Sequence, residues 1–189
     1  MFRSLLKKTR SCRRFNENFN IDKEILINLV DLARISPCMR NQQALKFTLS
    51  NNPEKNDLIF PCLSWAAALK DWRGPAAGER PSAYIVILGD TKISKDFGLD
   101  HGIAAMNMLL GATELGLGGC MVGSLNRDTL RLNLKINPSY EILLVVSLGK
   151  PAEKIVLEDL KNNSNTNYYR DKDNVHHVPK RKLEELIIA

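Results

Sequence analysis

The spacing of apolar positions along the chain predicts a mixture of helices and strands. Apolar residues recur with helical spacing over residues 21–35, and Ser36-Pro37 predicts the end of that helix. Further helices are expected over residues 53–70, 100–116 and 127–134, and strands over residues 46–49, 84–88 and 142–148. Since these elements alternate without a strict strand–helix–strand rhythm, we expect one α+β domain over residues 1–189.

The segment 100–116 is apolar on nearly every side. A helix of this kind belongs in the centre of a protein or at a subunit interface. Asp100 is the expected cap at its start and Gly116 the expected end.

Three segments have weaker patterns. Residues 73–81 are rich in Gly and Pro, which predicts a loop, and we hypothesise that this loop shapes substrate access. Residues 162–167 are polar and predict another loop, whereas residues 183–188 predict a short terminal helix or strand.

Composition narrows the class of protein. The chain has 189 residues, of which 44% are hydrophobic and 25% charged, and this excludes general disorder. No apolar run approaches the roughly 18 residues that a membrane span needs. We therefore expect a cytoplasmic protein without a membrane partner.

The net charge of +6 is concentrated at one end of the chain. Residues 1–15 contain six basic residues and no acidic one, while the remaining chain has 21 of each sign. A nucleic-acid-binding domain usually spreads its basic charge over a face and exposes aromatic residues, and only 6% of this chain is aromatic. The pattern favours one small anion over nucleic acid, and a solvated basic tail is the alternative.

The same Arg-rich start has the composition of a mitochondrial presequence, although it lacks the apolar region of a secretory signal. Four widely spaced cysteines predict reduced thiols, and their spacing to histidines predicts no metal site. Glycines 116, 118 and 119 do not form a dinucleotide fingerprint, and the pattern supports an end to the preceding helix about as well as a phosphate-binding role. No nucleophile motif is present, so a Ser-His-Asp triad gets no support, and general-base catalysis by one of the three histidines is open but not indicated.

Arg10, Ser11 and Arg13 are the most informative cluster. Two guanidinium groups and a hydroxyl within four residues suit a phosphate and a further electron-rich group on one ligand. Taken alone, this pattern is common.

Together with three further segments, the cluster resembles the FMN-dependent nitroreductase family, especially its short members. Residues 10–15 match the family's R-S-x-R-x-F run, and residues 33–47 are similar to its A-P-S-x-x-N-x-Q-P-W-x-F segment. Residues 100–119 resemble its long central helix, and residues 120–126 its W-I-G-x-F-D turn. The resemblance extends to the His-Val-Pro-Lys-Arg ending at residues 177–181.

The resemblance implies an FMN site built mainly by one subunit. Arg10, Ser11 and Arg13 match residues that hold the phosphate and the pyrimidine side of the flavin. Gly123 and Ser124 match the turn whose backbone N–H points at flavin N5, where a bare glycine permits close approach.

The remaining implied contacts come from two other segments. Cys38, Asn41 and Gln43 match the segment that reaches the flavin of the partner subunit. Lys180 and Arg181 match the C-terminal cations on the phosphate, a role for which Arg170 competes.

The family implies a mixed, mainly antiparallel sheet flanked by helices, in an intertwined homodimer. It also implies an oxidoreductase in which hydride passes from NADH or NADPH through FMN to a small-molecule electron acceptor. This acceptor would be a nitroaromatic, a quinone or an activated alkene. Because the hydride chemistry belongs to the flavin, we predict no catalytic side chain. Ala44-Leu45 replaces the family's Pro-Trp, and Cys38 replaces its usual Ser. The alternative function is a flavin carrier or sensor without turnover.

Overall fold

The computed structural model describes residues 1–160 and 165–188, and its centre is a five-stranded antiparallel sheet. The strands are β1 (Phe15–Asn16), β2 (Leu45–Ser50), β3 (Ala83–Asp90), β4 (Gly118–Val122) and β5 (Tyr140–Pro151). β3 lies between β2 and β5, while β5 also pairs with β4 and, at its end, with β1. Every residue of β3 is buried, which explains its continuous apolar run.

Five helices flank this sheet: α1 (Phe2–Lys8), α2 (Lys23–Arg34), α3 (Pro53–Ile59), α4 (Asp100–Glu114) and α5 (Arg127–Leu134). α2 and α4 cover the face of β3 that carries Ile85 and Ile87. α3 and α5 cover the opposite face, which carries Tyr84 and Val86. This confirms the expected α+β class with a mixed, mainly antiparallel sheet, and that one domain spans the whole chain stays a prediction.

α4 is buried along one side and open along the other. Ala104, Ala105 and Met108 are fully buried, whereas Ile103 and Leu110 keep part of their surface exposed. The expected cap at Asp100 is wrong, because its carboxylate accepts a hydrogen bond from the backbone N–H of Met39, 2.8 Å away. Gly116 follows the helix with a left-handed φ of +72°, as its predicted role requires.

Two predictions around α3 and β4 are wrong. α3 ends at Ile59 and a 3₁₀ turn (Phe60–Cys62) follows, so the helix predicted to residue 70 is too long. Gly118 and Gly119 do not end α4 but lie inside β4. A Cβ on Gly119 would lie 2.5 Å from the carbonyl oxygen of Ser147, so only a bare backbone fits there.

The basic N-terminus is not a solvated tail. Its first residues form α1, and the chain then runs along β4, where the backbone N–H of Cys12 donates to the carbonyl of Gly119 at 2.9 Å. Cys12 is buried in this contact.

A second, three-stranded sheet was not predicted from the sequence. It has the order β6 (Ile155–Asp159), β8 (His176–Lys180) and β7 (Tyr169–Arg170), with β6 and β8 parallel. A 3₁₀ turn (Leu183–Glu185) occupies part of the predicted terminal element, and another (Met39–Asn41) precedes β2. Of the loop predicted over residues 162–167, residues 162–164 lie outside the described residues. Across residues 1–160 and 165–188, no helix has the length and apolar character needed to cross a membrane.

Candidate functional site

A buried carboxylate, Glu153, fixes the segment that carries the predicted cofactor ligands. One of its oxygens accepts hydrogen bonds from the backbone N–H groups of Arg13 and Arg14. The other oxygen accepts from the Arg170 guanidinium at 2.9 Å. The Glu153 side chain is 2% exposed and that of Arg170 is 10% exposed, so this pair holds the segment against the C-terminal sheet.

Arg13, Gly123 and Ser124 meet at one cavity of about 180 Å³ beyond the end of β4. Its other lining residues come from 64–67 and 120–122. The backbone N–H of Ser64 donates to the carbonyl of Ser124 at 2.9 Å, which joins the two walls. The structure thus brings Arg13 to Gly123 and Ser124, two predicted ligands that lie more than a hundred residues later in the chain.

The surface at Gly123 is open. A Cβ at this position would approach only the Leu144 side chain, at 3.7 Å, so packing does not require glycine there. The bare backbone leaves room for a ligand to come close to the chain.

Trp65 is a site residue that the sequence analysis missed. It lines the cavity, is buried, and its indole N–H has no hydrogen-bond partner within residues 1–160 and 165–188. Its ring contacts Phe60, with ring centres 5.9 Å apart, and Gly74 of the predicted 73–81 loop packs against it. The available signal was a tryptophan close to a Gly- and Pro-rich loop, while control of substrate access by that loop stays a prediction.

The cavity offers a cation and no reactive thiol. The Arg13 guanidinium lies 4.9 Å from the centre of the Tyr168 ring and donates to the carbonyl of Ser11 at 3.3 Å. Burial raises the pKa of the Cys120 thiol, an effect that the nearby Arg13 opposes. Cys120 is therefore a protonated, inert wall residue.

Arg10 lies in a different place from Arg13. It lines a second cavity of about 440 Å³ together with Lys7, Lys8 and Glu153, and its guanidinium donates to the carbonyl of Leu6 at 2.8 Å. Burial lowers its pKa. Ser11 is exposed and lines neither cavity.

The C-terminal cations Lys180 and Arg181 are exposed and line neither cavity. Arg181 is 3.5 Å from Glu185. Arg170, the predicted competitor for the phosphate, is held by Glu153 and lies 4.3 Å from the centre of the Trp72 ring. These contacts leave its guanidinium with a structural role.

Cys38, Asn41 and Gln43 lie in the turn before β2, outside both cavities. Asn41 and Gln43 are exposed and adopt left-handed φ values of +54° and +51°. Within one subunit these residues are therefore not brought to Arg13 and Gly123.

The fold shifts the pKa values of two adjacent histidines of β8 in opposite directions. Burial lowers the pKa of His176 to about 4, with Arg13 and Arg170 lowering it further and Glu153 opposing them. A hydrogen bond to Asp171 has the largest effect on His177 and raises its pKa, and a hydrogen bond to Glu158 raises it further. The ring nitrogen Nε2 lies 3.1 Å from Asp171, and Nδ1 lies 3.0 Å from Glu158. The unfolded value of both is about 6.5.

The two histidines predict opposite pH dependences of stability. His176 favours its neutral form in the fold, so its contribution is lost as the pH falls from about 6.5 towards 4. The contribution of His177 is complete below about pH 6.5 and is lost as the pH rises through its raised pKa. In urea unfolding, His177→Gln should lose more stability at pH 5.5 than at pH 8.5, and His176→Gln the reverse. Parallel pH profiles for the two variants would contradict the assignment.

The sequence profile of the nitroreductase family matches residues 6–150 of this chain. Among curated proteins, YodC of Bacillus subtilis, which is named as an NAD(P)H nitroreductase, is 23% identical over 176 residues. The alignment covers 77% of this chain and 87% of YodC.

Solved structures show the same fold. A nitroreductase family protein from Streptococcus pneumoniae superimposes with a TM-score of 0.70 at 16% identity, and 100% of both chains is covered. A protein from Exiguobacterium sibiricum, crystallised in complex with FMN, gives a TM-score of 0.68 at 18% identity, with 81% of this chain and 89% of that chain covered. Since the family profile spans most of the sequence and the fold agrees, the chain belongs to the nitroreductase family.

Proposed function

We propose that the protein takes hydride from NADH or NADPH and passes it, by way of FMN, to a small organic acceptor. Membership of the nitroreductase family makes the chain an NAD(P)H-dependent oxidoreductase that uses FMN. The nature of the acceptor, whether a nitroaromatic, a quinone or an activated alkene, belongs to the proposal. A cytoplasmic location and a lack of nucleic-acid partners stay predictions.

The observation that carries the proposal is the meeting of Arg13 and Gly123 at one cavity. When bound, FMN supplies the hydride chemistry, so the chain has to bind and orient it. The donor set fits a flavin: a guanidinium, the unpartnered indole N–H of Trp65 and an open backbone at Gly123. Arg13 would hold the electron-rich pyrimidine side, and its positive charge would favour the reduced, anionic form.

The cavity of about 180 Å³ is smaller than the 300–1,000 Å³ typical of cofactor sites. We therefore propose that a second subunit completes it, with Cys38, Asn41 and Gln43 reaching across a homodimer interface. The exposure of Asn41 and Gln43 supports this arrangement. So does the apolar surface that Ile103, Leu110 and Ile35 leave uncovered in one chain.

We propose that Arg10, Ser11, Lys180 and Arg181 bind the phosphate of FMN, although none of them lines the 180 Å³ cavity in one chain. Arg10 and Ser11 lie on the same extended segment as Arg13, Lys180 is the last residue of β8, and Arg181 follows it. These four residues are exposed or partly exposed, as a contact with a phosphate requires. Their assignment rests on the family resemblance.

The test of the proposed function is an absorbance spectrum of the purified protein before and after anaerobic NADH or NADPH. Flavin bands that bleach would support the oxidoreductase. Flavin bands that persist would favour the alternative, a carrier or sensor without turnover. A colourless protein that also fails to take up added FMN would defeat both.

Enlarging residue 123 should separate cofactor binding from folding. Gly123→Ala and Gly123→Val should keep the thermal unfolding temperature close to that of the original protein, since a Cβ meets only Leu144 at 3.7 Å. The added methyl groups occupy the approach to the backbone, so FMN affinity should fall in the order Gly, Ala, Val, by roughly tenfold or more for Val. Equal FMN affinity of all three proteins, measured by flavin fluorescence quenching, would place the flavin elsewhere.

A further inference from the structure

We infer a second ligand site, for a small hydroxycarboxylate, in a polar cavity at the start of β3. This cavity of about 550 Å³ lies between α3, residues 17–20 and residues 77–84. It shares no lining residue with the cavity of Arg13 and Gly123. The inference therefore does not depend on the proposed function.

Three polar atoms in the wall of this cavity have no partner. They are the hydroxyl oxygens of Tyr84 and Ser82 and the Nε–H of Arg80, none of which forms a hydrogen bond with any residue in 1–160 or 165–188. Tyr84 is only 1% exposed. Burying such groups without partners is unfavourable, which indicates a ligand that supplies the missing bonds.

Tyr84 lines the cavity, and its hydroxyl can donate a hydrogen bond. Burial raises its pKa, and the nearby charges that also affect it, Glu17, Arg80 and Asp57, all line the same cavity. The hydroxyl is therefore protonated at neutral pH.

Of the charged groups that line this cavity, the Arg80 guanidinium is available to bind a ligand. A Glu17 oxygen accepts hydrogen bonds from the backbone N–H groups of Gly78 and Arg80, so this carboxylate is used in holding the loop. Arg80 lies 4.5 Å from the centre of the Phe60 ring, and its closest carboxylate is Asp57, at 3.8 Å. The Asp57 side chain is 73% exposed, so an incoming carboxylate can replace it at little expense.

These features select the chemistry of the ligand. A guanidinium and two hydroxyls belong to residues that line one cavity and can each donate a hydrogen bond, which suits the two oxygens of a carboxylate. The nearby Glu17 and Asp57 disfavour a phosphate dianion more strongly than a monoanion. The side chains of Asn18, Asn20 and Asn51 also line the cavity and provide amide partners for a hydroxyl group on the ligand.

Calorimetric titration of the FMN-saturated protein with lactate, and with glycerol as the uncharged analogue, tests the inference. We expect saturable lactate binding in the millimolar range and no binding of glycerol. Tyr84→Phe and Arg80→Gln should each weaken lactate binding by roughly tenfold, because each removes a donor. Tyr140→Phe and Arg34→Gln, which lie outside the cavity, are the matched controls and should leave it unchanged.

Three results would overturn the inference. They are no lactate binding up to about 50 mM, glycerol binding as tight as that of lactate, or a lactate affinity in both cavity variants that equals that of the original protein. The last result would mean that lactate binds elsewhere and that the cavity holds only water. If Arg80→Gln does not fold, the nearly isosteric Tyr84→Phe decides. Failure of FMN reduction by NAD(P)H would leave this result unaffected.

Discussion

Replacing Glu153 with alanine is expected to lower the free energy of unfolding by about 3–5 kcal/mol, the range for breaking a buried ion pair. The change removes the acceptor of two backbone N–H groups, at Arg13 and Arg14. It also leaves the Arg170 guanidinium, 10% exposed, without its carboxylate. A buried charge and two buried donors would then lack partners at the junction of the two sheets.

Urea unfolding measures this effect, and two further variants bracket it. Glu153→Gln keeps an acceptor oxygen but loses the charge, so its loss of stability should be smaller than that of Glu153→Ala. Asp31→Ala breaks an exposed ion pair with Arg34 and should change stability far less. A change of the same small size for Glu153→Ala would show that its carboxylate does not hold the fold together.

Elements with strong local signals could be predicted from the sequence. β3 and β5 are continuous apolar runs bounded by turn residues. Asn126 caps the start of α5, because its side chain accepts a hydrogen bond from the Thr129 N–H at 3.0 Å. In these segments the local preference and the tertiary environment agree.

Other elements depend on contacts that local sequence does not reveal. β4 begins with two glycines, which disfavour strands, and it exists because bare backbone fits between α4 and β5. α1 has seven residues and none of them is buried, so it has little amphipathic signal. β6 and β8 pair in parallel although residues 160–175 separate them in the chain, and no turn residue predicts this register.

In the candidate site, too, some residues could be predicted from local sequence and others depend on contacts that only the fold makes. The run at residues 10–13 predicts a cofactor segment, and its two arginines line different cavities. Side chains three positions apart on an extended segment point to opposite sides, which accounts for the separation. Trp65 and Glu153 went unnoticed because the residues that they meet in the fold, Gly123 for Trp65 and Arg13 for Glu153, are distant in the sequence.

Replacing Arg13 with alanine is expected to weaken FMN binding by about 1.5–3 kcal/mol, or roughly 10- to 150-fold, the size of a hydrogen bond to a charged group. Arg13 is the cation that lines the cavity with Gly123 and Ser124, where its contact with Tyr168 orients it. Arg13→Lys keeps the positive charge but not the planar guanidinium, so its FMN affinity should lie between those of the original protein and Arg13→Ala. Loss of the positive charge should also lower the reduction potential of bound flavin.

Flavin fluorescence titration measures the affinity, and Arg14→Ala is the matched control. Arg14 is the next residue in the chain, but its guanidinium contacts Glu79 at 3.1 Å and does not line the cavity. Its removal changes the net charge by the same amount, so a general electrostatic effect would weaken FMN binding equally in both variants. A loss of affinity in Arg13→Ala alone supports a direct contact with the flavin. Equal losses would mean that the basic segment attracts the cofactor without placing Arg13 against it, and no loss in either would move the flavin away from this cavity.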